Sequence, residues 1–293
     1  MSLIMHVTVD GTPGWVLRCS AEEVGGATAA AETTDVPLPP LAELLAMPLA
    51  EAHTLVERAA AGADAAGTPA AGEVLAPVDE QEVWAAGVTY RRSRDGRMEE
   101  SDNATVYDLV YEADRPEIFF KSTAGRVVAD GDRVGIRADS CWDVPEPEVG
   151  LVVNSDGEIF GYVVGNDMSS RSIEGVNSLY LPQAKMYDRA CSLGPGIRPV
   201  WELPDSPLDV GIRIERDGNP VFEASGSTSD MKRTFPELVD WLTRAMTFPA
   251  GAVLLTGTGL VPDRDFTLRA DDVIVIDVAG VGTLSNHVVR VGR

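Results

Sequence analysis

A chain of 293 residues with 44% hydrophobic residues buries a core of ordinary size, either as one large domain with an appendage or as two modest domains. Its formal net charge of −22 repels phosphate backbones and anionic lipid, so nucleic acid and membrane surfaces are poor partners, and an anionic substrate has to be drawn in by local cations or a metal. The apolar runs are too short to cross a bilayer, the opening Met-Ser-Leu-Ile-Met-His lacks a secretory signal, and Cys19, Cys141 and Cys191 have no paired spacing; a cytoplasmic chain with reduced thiols is expected.

In chain order, Val7, Val9 and Trp15-Val16-Leu17 read as short strands, and Leu41 to Ala61 has helical spacing that Pro48 should split in two. The Ala- and Gly-rich stretch from Ala59 to Gly72 resembles a linker, which puts a boundary near residue 75 between a small N-terminal domain (1–75) and a larger one (76–293). Beyond it, runs at Val83 to Val88, Ile118 to Phe120, Val149 to Val153, Ile159 to Val164, Val210 to Ile214, Val253 to Leu255 and Val273 to Val278 predict strands. Phe235, Leu238, Val239, Leu242 and Met246 share one face of a predicted helix capped by Thr234. The expected fold class is α+β and β-rich.

The densest chemistry lies in Pro145-Glu146-Pro147-Glu148 and in the run that ends at Asp167, two β-like segments separated by a turn at Asn154-Ser155-Asp156-Gly157. Residues two apart on a strand share a face, so Glu146 and Glu148 point the same way, and an antiparallel hairpin sets Asp167 across from them. Three clustered carboxylates need protons or a cation, and oxygen donors select a hard ion: Mg²⁺ first, with Mn²⁺ or Ca²⁺ as alternatives. The same alternation also suits the solvated face of an ordinary hairpin. Pro145 and Pro147 cannot donate to a ladder, which predicts an edge or opening at this strand end.

Glu146-Pro-Glu148-Val-Gly-Leu-Val followed by Gly161-Tyr-Val-Val-Gly-Asn-Asp167-Met-Ser-Ser-Arg171 resembles the signature of the fumarylacetoacetate hydrolase-like superfamily. Ala86-Gly87-Val88-Thr89-Tyr90, Ile118 to Lys121, Lys185 to Asp188, Leu255 to Thr258 and Gly280 to Asn286 follow in the same order, so the resemblance covers residues 80 to 293. It implies a mixed β-roll catalytic domain with a small N-terminal α/β domain, a metal on Glu146, Glu148 and Asp167, and a homodimer or larger assembly.

Hydrolases of that superfamily carry a histidine shortly after the Gly-x-x-Tyr segment, whereas here Tyr90 is followed by Arg91-Arg92-Ser93-Arg94, and His6, His53 and His287 lie elsewhere. Gly87 to Ser93 together with Lys185-Met-Tyr-Asp188 resembles instead the superfamily's 2-keto-3-deoxy-pentonate dehydratases. The implied reaction is Mg²⁺-dependent loss of water from a 2-keto-3-deoxy sugar acid through an enolate, giving 2,5-dioxopentanoate. Lys185 is the candidate base for C3 and Glu117 its competitor; Tyr90, Arg92, Ser93 and Thr258 are candidate contacts for the keto-acid substrate. Carbon–carbon hydrolysis, decarboxylation or tautomerisation of diketo acids on the same metal, and a catalytically silent metal-binding assembly protein, are the alternatives.

Overall fold

The computed structural model describes residues 2–20, 33–62, 72–91 and 109–293. Strands β1 (Ser2–Val9) and β2 (Thr12–Ser20) form a hairpin, with β3 (Thr33–Leu38) antiparallel to β2. Helices α1 (Leu41–Leu45) and α2 (Leu49–Ala61) follow, and the break between them falls at Pro48, which has no N–H to continue a helix and serves as the N-cap of α2. The linker expected from Ala59 to Gly72 lies largely outside the described residues; where the chain reappears, Leu75 donates its N–H to His6 of β1.

The chain continues with β4 (Glu82–Gly87), β5 (Glu117–Ser122), β6 (Val127–Val128), β7 (Arg133–Arg137), β8 (Asp143–Val144), β9 (Pro147–Val153), β10 (Ile159–Asp167) and β11 (Ser169–Ser170). The short helices α3 (Arg171–Glu174) and α4 (Leu181–Lys185) lead to β12 (Cys191–Pro199), and β13 (Asp209–Arg216) pairs with β14 (Asn219–Ser227). Helix α5 (Phe235–Thr243) begins at Thr234, whose hydroxyl accepts from the Glu237 N–H at 3.3 Å, and strands β15 (Ala252–Leu255), β16 (Val273–Val278) and β17 (Gly282–Val291) complete the chain.

One sheet runs β3-β2-β1-β12-β10-β9-β15-β4-β5, with β6 added beside β12, and a second runs β14-β13-β16-β17-β7. Parallel pairs (β15 with β4, β17 with β7) sit among antiparallel ones, so both sheets are mixed. Two cores result. Val149, Leu151, Val164 and Leu254 of the large sheet pack with Ile212, Ile214, Ile276 and Leu284 of the second sheet and with Leu238 and Leu242 of α5. On the other face, Val152, Phe160, Val163 and Val253 pack with Leu41 and Leu45 of α1, Val56 of α2, and Ile4 and Leu17 of the N-terminal hairpin. Strands β9 and β15 are therefore buried on both faces, which explains why their sequences are continuous apolar runs rather than alternations.

The opening expected at the Pro147 end is present, although β9 as a whole is an interior strand between β10 and β15. The prolines are tolerated because β15 pairs with β9 only along Gly150 to Val153, leaving the Pro147 end beyond the last ladder pair on that side.

Candidate metal centre

The hairpin of β9 and β10 builds the acidic cluster. Its turn is closed by Asn154, whose side-chain oxygen accepts from the N–H groups of Asp156 (3.1 Å) and Glu158 (2.8 Å), and Gly157 takes the left-handed conformation at φ 78°. Ile159 pairs with Val153 and Gly161 with Val152, so Phe160 is an extra residue in β10, a bulge. That one residue has a large effect. Without it the register would place Asp167 opposite Pro145 and off the carboxylate face; with it, Glu148 lies opposite Gly165 and the Asp167 N–H bonds the Glu146 carbonyl at 3.0 Å.

Glu146, Glu148 and Asp167 are all buried, and each offers a carboxylate oxygen within 4.8 Å of the others. Burial, then the charges of Asp167 and Glu146, hold the Glu148 carboxyl well above the ordinary carboxylate range, although Lys185 and the Gly257 N–H (2.6 Å from Glu148 Oε2) pull the other way. The Lys185 ammonium donates to Glu146 Oε2 at 2.7 Å, Asp167 Oδ2 at 2.8 Å and Ser169 Oγ at 2.6 Å, and Arg171 Nη2 donates to Glu146 Oε1 at 2.8 Å. Lys121 forms a buried ion pair with the other oxygen of Asp167.

A narrow cavity opens beside this cluster, lined by Glu117, Glu146, Asp167, Arg171, Glu174 and Lys185 with Gly257 and Thr258. Strand β5 supplies one wall by its period of two: Glu117 lines the cavity, the Phe119 ring lies 5.5 Å from Lys185 Nζ, and Lys121 reaches Asp167. Gly87 is what lets Glu117 lie there, since a Cβ at position 87 would sit 2.0 Å from the Glu117 carboxylate. Next to it, Val88 holds φ 53°, a costly backbone for a β-branched residue and the kind of strain that collects at functional sites.

The structure thus brings together Glu117, Glu146, Glu148, Asp167, Lys185 and Thr258. Thr258 accepts from the Leu260 N–H at 3.0 Å while facing the cavity. Tyr90 lines instead a larger cavity of about 930 Å³ that meets the first at Gly257. Its phenol is pushed far up by burial, then by Glu148 and Asp230, so it stays a neutral hydroxyl. Arg92 and Ser93 lie outside the described residues. The three histidines stay apart from the cavity: His6 stacks on Trp15, His53 stacks on Trp201 of the N-terminal packing, and His287 is in β17.

Sequence reasoning passed over Arg171, Ser169 and Glu174. Arg171 closed the quoted signature without a role, and its pairing with Glu146 follows only from the way β11 and α3 fold the chain back over the hairpin. Glu174, one helical turn later, had no signal beyond its spacing from Arg171.

The donor set suits a hard divalent cation. Among the described residues, three buried carboxylates converge with no sulfur or imidazole donor in the group, with Glu117 and Glu174 lining the same cavity and Lys121, Arg171 and Lys185 as the neighbouring cations.

Residues 82–289 match the family profile described as the C-terminal domain of fumarylacetoacetate hydrolase. The chain belongs to this family. It is 53% identical over 216 residues to a probable 2-keto-3-deoxyxylonate dehydratase of Haloferax volcanii, covering 73% of this chain and 74% of that protein. It is 40% identical over 216 residues to the 2-dehydro-3-deoxy-D-arabinonate dehydratase of Saccharolobus solfataricus, with 72% of each chain covered. Among solved structures, a 2-keto-3-deoxy-D-arabinonate dehydratase complexed with magnesium and 2,5-dioxopentanoate superposes with a TM-score of 0.79 at 30% identity, covering 100% of both chains.

Proposed function

We propose that this chain is a Mg²⁺-dependent dehydratase of 2-keto-3-deoxy-pentonates that releases 2,5-dioxopentanoate. The observation that carries the reading is the buried Glu146, Glu148 and Asp167 cluster beside Lys185, in a chain 53% and 40% identical to proteins named as such dehydratases. Mn²⁺ or Ca²⁺ would satisfy the same oxygen donors, and a direct competition for the site ranks the three.

Glu146, Glu148 and Asp167 would hold the ion. When bound, it supplies Lewis-acid polarisation of the substrate's keto group, which acidifies the protons at C3. Lys185, at the cavity wall against Phe119, is our proposed acceptor of the C3 proton once it is the neutral amine, a form that the charge of a bound cation beside it would favour, and Glu117, which also lines the cavity, is the competing base. The electron pair left at C3 expels the C4 hydroxyl, which departs as water with a proton and leaves a double bond between C3 and C4. Loss of a C5 proton with return of a proton to C3 shifts that bond to C4 and C5, and the resulting enol gains a proton at C4 and loses its hydroxyl proton to become the C5 aldehyde. Arg171 keeps Glu146 in place throughout, and Ser169 orients the Lys185 ammonium. Thr258 and Tyr90 are proposed to hold the substrate by hydroxyl hydrogen bonds, with Arg92 and Ser93 contributing from the segment after Tyr90. Arg91, Arg92, Arg94 and Arg97 are proposed as the source of the positive charge that an anionic substrate needs in so acidic a chain.

Incubation with Mg²⁺ and 2-keto-3-deoxy-D-arabinonate, followed through an aldehyde dehydrogenase coupled to nicotinamide reduction, tests the reading. Product that disappears with EDTA is expected; a protein that binds Mg²⁺ and leaves the keto acid intact would refute the reaction. Solvent deuterium incorporation at C3 then separates the two bases, because only replacement of the true base, Lys185→Met or Glu117→Gln, abolishes exchange. A second reading, tautomerisation of oxaloacetate, draws support from 30% identity over 195 residues to the oxaloacetate tautomerase YisK of Bacillus subtilis, and the enol absorbance of oxaloacetate tests it directly. Carbon–carbon hydrolysis has less support, since among the described residues no histidine lines the cavity. A homodimer or larger assembly remains our expectation, and light scattering of the intact protein tests it.

A further inference from the structure

Only three of the 24 basic residues in this chain are lysines, namely Lys121, Lys185 and Lys232, and two of the three lie in the acidic cluster. In a chain that otherwise uses arginine for positive charge, that placement says something about the geometry these two sites require. An ammonium is a compact point with three donors, whereas a guanidinium is a wide planar fork. The surroundings of Lys121 match the former. Its side chain is fully buried; the ammonium donates to the Met168 carbonyl (3.0 Å) and the Lys185 carbonyl (2.6 Å) and forms an ion pair with one oxygen of Asp167.

These acceptors belong to separate parts of the site. Asp167 is a metal-ligand candidate at the end of β10, Met168 is the next residue along the chain, and Lys185 ends α4. The Lys185 side chain binds the other oxygen of Asp167 at 2.8 Å. One ammonium on β5 therefore ties the main chain of Lys185 to the carboxylate that the Lys185 side chain also touches, and the two lysines hold Asp167 by its two different oxygens.

We propose that Lys121 is a positioning residue of the metal centre, which orients Asp167 for the divalent ion and anchors the backbone that carries Lys185. The proposal rests on the metal site proposed above, but not on the reaction assigned to it. Its role is orientation and not simple charge neutralisation, and the two make opposite predictions for Mg²⁺. Removal of a nearby cation by itself would leave the carboxylates more negative and tighten Mg²⁺ binding; loss of the ligand's orienting partner weakens it, typically by about 10- to 100-fold.

The test is calorimetric titration of Mg²⁺ into the metal-stripped full-length protein and its Lys121→Met and Lys121→Arg variants, with circular dichroism to verify folding and kcat measured at saturating Mg²⁺. We expect about 10- to 100-fold weaker Mg²⁺ binding in Lys121→Met. Lys121→Arg should fail to restore it, because a guanidinium cannot serve three acceptors gathered around one point, and kcat should stay depressed in both when Mg²⁺ is saturating. Unchanged or tighter Mg²⁺ binding in Lys121→Met, or full restoration by Lys121→Arg, overturns the proposal. If Lys121→Met does not fold, Lys121→Gln decides: it keeps two donors for the carbonyls, and Mg²⁺ affinity within about twofold of the parent would overturn the role on Asp167. A parent protein that binds Mg²⁺ without dehydrating the keto acid would sink the proposed reaction and leave the Mg²⁺ titrations to judge Lys121.

Discussion

Asp143 lies in β8, paired with Ser170 of the β11 segment that carries Ser169 to Lys185. Burial pushes its carboxyl up to about 6, against partial relief from Ser140, the Arg137 backbone and the charges of Arg290 and Arg137. The folded protein thus holds this proton up to about pH 6, while the unfolded chain releases it near 3.8, so the folded state binds the extra proton between these values. Asp143 therefore costs stability as pH rises from about 4 to about 6, and the cost stays constant above that. Asp143→Asn should remove this slope and raise the thermal midpoint at pH 7; equal pH dependence in both proteins, followed by calorimetry, would exclude Asp143 as its source. Glu146→Gln addresses the ion itself. It should abolish the gain in thermal stability that Mg²⁺ gives the parent, which by linkage reaches about 2.7 kcal/mol when Mg²⁺ is present at 100 times its dissociation constant. Lys185→Met is expected to retain that Mg²⁺-dependent gain while losing turnover, and substantial residual turnover would rule it out as the base.

At the scale of elements, the β15-to-Thr258 connection bends around the cluster at Gly257, whose φ of 90° and close neighbours leave no room for a side chain. A Cβ there would lie 2.1 Å from Thr89 Oγ1 and 2.8 Å from the Ala86 carbonyl oxygen. Gly257→Ala should therefore move the N–H away from Glu148 and weaken both folding and Mg²⁺ affinity, as urea titration and Mg²⁺ titration would register. Thr234→Ala acts far from the site: loss of the α5 cap should cost about 1 kcal/mol in a denaturant midpoint and leave turnover unchanged. How much of these elements could be read beforehand varied with their patterning. The Pro48 break, the Thr234 cap and the β16 bounds follow from local chemistry that acts wherever the chain lies. The prolines gave the open end of β9, but that the rest of β9 is an interior strand could not be read from them, because it depends on β15 pairing only along Gly150 to Val153. The proposed division near residue 75 meets a similar limit, since Ile4 and Leu17 share a core with Val83 and Phe160 from beyond it.

For the whole molecule, a formal charge of −22 on 293 residues implies self-repulsion that salt relieves. Screening shortens from about 10 Å at 0.1 M to about 3 Å at 1 M ionic strength, so the thermal midpoint should rise as KCl is raised across that range, and a flat or falling midpoint would contradict it. The described residues include no helix long and apolar enough to cross a membrane. The sequence by itself determined the hairpin that carries Glu146, Glu148 and Asp167, because the short apolar runs, the turn residues between them and the ordered signature are local properties of the chain. It could not determine that Phe160 would bulge and bring Asp167 onto the carboxylate face, since the bulge is set by packing of β10 against β9 and β12. Nor could it place Lys121, Arg171 and Glu174 around that face. Those three come from β5 and α3, separated from Glu146 by 25 to 28 residues in sequence, and only the closing of the sheet and the return of the chain over the hairpin bring their charges within reach of the same carboxylates.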